Sequence, residues 1–230
     1  SGTDYSFVGF ATGLGATLGA FTPIHLHKDS DEIKSKQVMG GLLLGAGGAC
    51  LASSLAAQHV DLAPGVVPEA MLFAADASLL GAGLGLMASE DNPVAVGLLQ
   101  SMGIAGAIGG AFVAESTDYS GTDRLLATMT VGYGAWQGFG VALLADASDR
   151  QLAGAGMAIA ALGGMVGAFL GQYLELSTAE VLTAFSGAVW GTTIGALSAN
   201  LARNRGVSLE GRKLAGLAMV AGNVGLGLSV

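Results

Sequence analysis

The chain has 230 residues, of which 39 are Gly, 52% are hydrophobic and only 11% are charged. Glycine stands far above, and charge far below, the roughly 7% and 25% of ordinary proteins, which excludes disorder, a state that needs low hydrophobicity and high charge. With 4 Pro and no three-residue Gly period a collagen-like fibre is excluded as well, and 17 acids against 9 bases, a net charge of −8, leave no basic face for nucleic acid.

The elements follow from the gaps between charges. In chain order the uncharged runs are Tyr5–Ile24, Gln37–Gln58, Ala70–Ser89 (interrupted by Asp76), Asn92–Ala114, Leu125–Ala145, Gln151–Leu174, Val181–Ala202 and Leu214–Val230. A helix rising 1.5 Å per residue needs about 20 residues to cross a hydrocarbon core of roughly 30 Å, and most of these runs have that length. Gly interrupts them at three- and four-residue spacing, a helical period, and runs such as Gly40-Gly41-Leu42-Leu43-Leu44-Gly45 lack the alternation of a barrel strand. The expectation is an all-α chain of eight transmembrane helices.

Loops leading from odd to even helices hold Lys28, Lys34, Lys36, Arg150, Arg203, Arg205, Arg212 and Lys213, eight of the nine bases, whereas Arg124 alone lies on the other side. By the positive-inside rule the basic loops face the cytoplasm and both termini face outward, which narrowly favours an inner membrane over an outer one. An outward N-terminus fits removal of a signal peptide, and an expression scar accounts for Ser1-Gly2 equally well. The short last run points to an excerpt of something longer.

The odd helices align with one another. Gly15-xxx-Gly19, Gly81-xxx-Gly85, Gly134-xxx-Gly138 and Gly191-xxx-Gly195 occupy corresponding places, with Asp4, Glu69, Asp123 and Glu180 some eleven or twelve residues earlier. Among the even helices, Gly106-xxx-Gly110 matches Gly163-xxx-Gly167, and Gly47-Gly48-Ala49 resembles Gly109-Gly110-Ala111. The reading is a single membrane domain, 1–230, of four tandem helix hairpins (about 1–58, 66–115, 120–174 and 177–230) packed through GxxxG-type seams, because helices in lipid associate where small residues let backbones approach. Ser177-xxx-Glu180 has capping-box spacing, and Thr3-Asp4 and Thr122-Asp123 read as helix starts.

These small-residue pairs, with Tyr133 or Trp190 just before them, give the chain a resemblance to Gly/Ala-rich helix-hairpin repeat proteins of Gram-negative cell envelopes. The resemblance spans most of the chain and implies no activity.

Asp76 is the sharpest candidate for chemistry. It lies seven residues, or about 10 Å, into the third helix from Glu69, where an unpaired carboxylate is costly. The other repeats hold Phe10, Met129 and Ser186 there, so the hairpin itself does not need an acid. A protonatable or ion-coordinating site facing a cavity is the functional account, and a carboxyl paired with Ser or Thr near a wet interface is the plain one. Gln100, Gln137 and Asn223 are the interior amides; Gln137 and Asn223 join Asp76 as ion or solute site candidates, with interhelical hydrogen bonding as the alternative. His25 and His27, followed by Asp29, Asp31 and Glu32, offer metal-ligand types at a spacing that matches no defined site, so no metal is expected. Trp136 and Trp190 read as packing or interface anchors. The lone Cys50 cannot form an internal disulfide.

No phosphate-binding lysine loop, serine elbow, His-Glu-xx-His or Cys pair is present, and the sequence points away from an enzyme and from any cofactor. Three functions remain in play. The first is a structural or pore-forming unit of a larger cell-envelope assembly, with lipid and further copies or other envelope proteins as partners. The second is a small-solute or ion transporter using Asp76, and the third a soluble self-assembling helical scaffold.

Overall fold

The structure, a computed structural model, describes residues 2–26, 34–114, 116–205 and 210–229. It is all-α: α1 (Gly2–Leu26), α2 (Ser35–Ala56), α3 (Val66–Ala88), α4 (Asn92–Val113), α5 (Gly121–Leu144), α6 (Asp149–Gly171), α7 (Thr178–Asn204) and α8 (Gly211–Ser229), with no strand among the described residues. Each helix contains one of the uncharged runs nearly whole. Six of the described helices, α1 to α4 with α6 and α7, are long and apolar enough to cross a membrane, a composition compatible with an integral membrane protein.

The chain forms two compact units, Ser1–Gly81 with Asp91–Thr117, and Ala82–Glu90 with Asp118–Val230. In the first unit, Gly15 and Gly19 of α1 lie against Gly45 and Gly41 of α2. A Cβ on any of these four would run into a backbone carbonyl of the facing helix. Between α3 and α4 the close approaches are Gly81 on the Leu98 carbonyl, Gly106 on the Phe73 carbonyl and Gly110 on the Glu69 carbonyl. Gln100 of α4 donates to the Leu18 carbonyl of α1 at 3.2 Å. On α2 the contact residues are thus Gly41 and Gly45, while Gly47 and Gly48 face open space.

In the second unit, Gly134 and Gly138 of α5 lie on the carbonyls of Ile159 and Ala155, and Gly163 and Gly167 of α6 lie on Thr130. Gly187 and Gly191 of α7 meet Gly225 of α8, and Gly195 meets Ala221. α8 also packs along α5, where Gly140 meets Met219 and Gly216 meets the Gly140 carbonyl. The last turns of α3 belong to this unit: Gly83 lies on Gly154 and Ala158 of α6, and Gly85 is buried. Each helical Gly costs about 1 kcal/mol relative to Ala, and the dispersion attraction between closely approaching backbones offsets that loss.

The core is built of small residues. Ala70, Ala74, Ala77, Ala127, Ala161 and Ala188 are among its buried members, whereas Leu43, Leu44, Phe112, Phe169, Trp190 and Leu201 point outward. Serine caps start three helices of the second unit. Ser120, Ser148 and Ser177 each accept from the backbone N–H three residues on, and each receives the side chain of that residue, Asp123, Gln151 or Glu180, at its own N–H. Thr122 is therefore inside α5, and its cap is Ser120, because Ser120 pairs with Asp123 at capping-box spacing.

Candidate functional site

Asp76 lies on α3 within the stretch that meets α4, which runs from Glu69 to Gly81. It is 4% exposed, and it meets no hydrogen-bond or ion-pair partner among the described residues. Glu69, two turns earlier on the same face of α3, is 2% exposed and accepts a hydrogen bond from the Thr117 hydroxyl at 2.6 Å. The helix thus carries two buried carboxyls, one with a hydroxyl donor and one without. Among the described residues no Ser or Thr hydroxyl bonds the Asp76 carboxyl, and the nearby Ser78 turns its hydroxyl toward Gly103 of α4.

The other two candidates, Gln137 and Asn223, belong to the second unit, and the fold brings them together. The amide of Asn223 on α8 donates to Gln137 Oε1 on α5 at 2.9 Å, and Gln137 Nε2 donates to the Met219 carbonyl at 3.1 Å. Tyr133, one turn before Gln137, donates its hydroxyl to Asn223 Oδ1. The result is a polar seam between α5 and α8 in which each amide bonds across to the opposite helix. Tyr133 reads in the sequence only as the aromatic preceding a Gly pair. Its i, i+4 relation to Gln137 is the one available signal that the two share a face.

Beside this seam α5 and α7 bound an open groove of about 460 Å³, with Thr128, Tyr133 and Trp136 on one wall and Phe185, Val189 and Thr193 on the other. The rings of Tyr133 and Phe185 meet edge-on, 6.0 Å between centroids. The wall threonines bond back to their own helices, Thr128 to the Arg124 carbonyl and Thr193 to the Val189 carbonyl, so the groove presents mainly apolar surface. Trp136 is half-exposed on its rim and Trp190 is exposed on α7.

At the ends of α5 and α8 the polar contacts are of another kind. Arg212 donates to the Ala147 carbonyl at 2.9 Å, and the Lys213 ammonium sits 2.8 Å from Asp146. This hydrogen bond and the Asp146 charge, with a smaller contribution from Glu210, hold the Lys213 amine above its ordinary pKa.

Among the described residues no three His, Cys, Asp or Glu side chains converge as a metal site. The His25 side chain and His27, Asp29, Asp31 and Glu32 lie outside the described residues. No protein family, no curated protein and no solved structure matches the chain.

Proposed function

We propose that the chain is a non-enzymatic integral membrane protein whose four helix hairpins, packed through glycine seams, span the bilayer eight times as a structural or pore-forming unit of a larger cell-envelope assembly. The observation that carries this reading is the distribution of side-chain size: Gly and Ala between the helices, Leu, Phe and Trp outside them. In water such a surface is an association liability. In hydrocarbon it is the arrangement that close helix packing requires. α5 and α8, the two helices outside the strongly apolar set, are the pair joined by Gln137, Asn223 and Tyr133, so their polar groups are satisfied against each other rather than left to lipid. The Lys/Arg asymmetry supports basic loops in the cytoplasm and an inner membrane. The outward glycines Gly9, Gly13, Gly40, Gly47 and Gly48, which have open space around them, suit further copies or envelope partners.

Carbonate extraction of expressing membranes, followed by mass measurement of the detergent-solubilised particle, tests the reading. Retention in the carbonate pellet and recovery as a discrete oligomer is the expected result. Recovery in plain buffer would overturn it in favour of a soluble self-assembling scaffold.

A second reading, a small-solute or ion transporter, is favoured by Asp76, a buried carboxyl without a partner among the described residues in a span-length helix. Reconstituted vesicles whose uptake is abolished by Asp76→Asn, with helix content unchanged, are the expected result for that reading; uptake indifferent to the substitution removes it.

A further inference from the structure

We infer that Asp76 is a proton-binding site, a carboxyl that takes up and releases a proton from within α3. The inference deepens the transport reading by naming its ion, and it rests on that reading only in needing α3 to lie in apolar surroundings.

Three observations lead to it. Asp76 is 4% exposed and has neither a hydrogen-bond donor nor a cation among the described residues. Desolvation without compensation disfavours a charged carboxylate, and a group in that position relieves the cost by taking up a proton. The second observation is the contrast within α3, since Glu69 is buried as deeply but its carboxylate accepts from Thr117. The third is the emptiness of the neighbourhood. α4, packed on α3 through Gly81, Gly103, Gly106 and Gly110, carries no Asp, Glu, Lys, Arg or His from Asn92 to Val113. On α1 and α2, the other helices of this unit, the charged side chains Asp4 and Lys36 stand in the first turns.

The same geometry selects the proton over a metal cation. Hard cations need several oxygen ligands arranged around them. Among the described residues no group of three His, Cys, Asp or Glu side chains takes in the Asp76 carboxyl, whereas a proton needs only the carboxyl.

Dicyclohexylcarbodiimide, an apolar reagent, tests this on the full chain in detergent. The protonated carboxyl gives its proton to a carbodiimide nitrogen while its oxygen bonds to the central carbon. The O-acylisourea then rearranges to a stable N-acylurea, with no leaving group and no redox change. Peptide mass mapping of the wild-type protein is expected to find the adduct on Asp76, to see it fall as pH is raised, and to find it unaffected by sodium at fixed pH. Asp76→Asn should lose it and Asp76→Glu retain it. A water-soluble carbodiimide should instead modify exposed carboxyls such as Asp146 and leave Asp76 untouched. An unmodified Asp76 throughout the pH range, in protein whose Asp146 reacts with the water-soluble reagent, overturns the inference. Protection by sodium overturns it too, since a metal cation would then be the ligand. An Asp76 adduct in a protein that transports nothing leaves the proton site standing and removes the transport reading alone.

Discussion

The α1–α2 and α5–α6 hairpins are joined by the same kind of contact and are held very differently. In both, glycines one helical turn apart bring backbone against backbone. On α2, however, Ser53 is the one buried residue among those described, and Gly40, Gly47 and Gly48 look into open space. α6 instead buries small residues along its whole length, from Gly154 to Gly171, and α5 carries α8 on another face through Gly140 and the Gln137–Asn223 seam. A Gly-xxx-Gly pair sets how near two helices can come. Whether they can move apart again is decided by what packs behind them.

The largest expected effect tests that distinction directly. Gly19→Val and Gly138→Val each place side-chain atoms where a facing carbonyl stands. Overpacking of this kind costs about 1–3 kcal/mol and occasionally more. Helix α1 is met from α4 by the Gln100 bond to the Leu18 carbonyl, whereas α5 is pressed from a second side by α8 through both Gly140 and the amide seam. Gly138→Val is therefore expected at or beyond the upper end of that range and Gly19→Val near the lower, measured by denaturant unfolding in detergent. Equal losses would mean that the α1–α2 hairpin is also clamped, as it would be inside an oligomer. Gly132→Ala, at a position with open space, is the control and should stabilise by up to about 1 kcal/mol through helix propensity.

A smaller effect dissects the clamp. Interhelical side-chain hydrogen bonds in membrane proteins contribute about 0.6 kcal/mol on average and up to about 1.7. A double-mutant cycle of Gln137→Ala and Asn223→Ala should give a coupling in that range, because the two amides bond each other across α5 and α8. It should also narrow the gap between Gly138→Val and Gly19→Val when Asn223→Ala is combined with each. Additive losses would show that the amide seam contributes nothing to holding α8 on α5.

The helices and the place of Asp76 are legible in the sequence for one reason: charges are excluded from the interiors, so helix limits and the lone intruder both stand out. The Ser177 cap is legible from its spacing to Glu180. Thr122-Asp123 marks the first turn of α5, while the cap itself is Ser120, which has the three-residue relation to Asp123. Periodicity locates a small-residue face without saying which neighbour covers it. Hence Gly47 and Gly48, conspicuous as a pair, face open space while Gly41 and Gly45 meet α1. The meeting of Gln137 with Asn223, 86 positions apart, depends on how α8 returns to α5, and no local pattern encodes that. The groove between α5 and α7 escapes a sequence reading for the same reason.

The smallest effect concerns the turn that closes the α5–α6 hairpin. Asp146 has φ 52°, a left-handed conformation that Asn and Asp tolerate better than other side chains, and the Ala147 N–H returns to the Ala142 carbonyl at 3.0 Å to end α5. α8 reaches this turn through Lys213, 2.8 Å from the Asp146 carboxylate. Asp146→Asn keeps the backbone preference and removes only the charge. Because folding raises the Lys213 pKa, the ion pair stabilises the fold fully below the unfolded-state value and loses that contribution as pH rises through the folded-state value. Thermal unfolding of the two proteins should therefore show Asp146→Asn slightly less stable at neutral pH, with the difference shrinking in alkali as wild-type Lys213 gives up its proton. Both groups are solvent-accessible, so added salt should shrink the difference as well. A deficit that persists unchanged in alkali and in salt would place the role of Asp146 in the turn itself, and α8 would then hold the α5–α6 hairpin through Arg212, the glycine contacts and the amide seam, without the Lys213 ion pair.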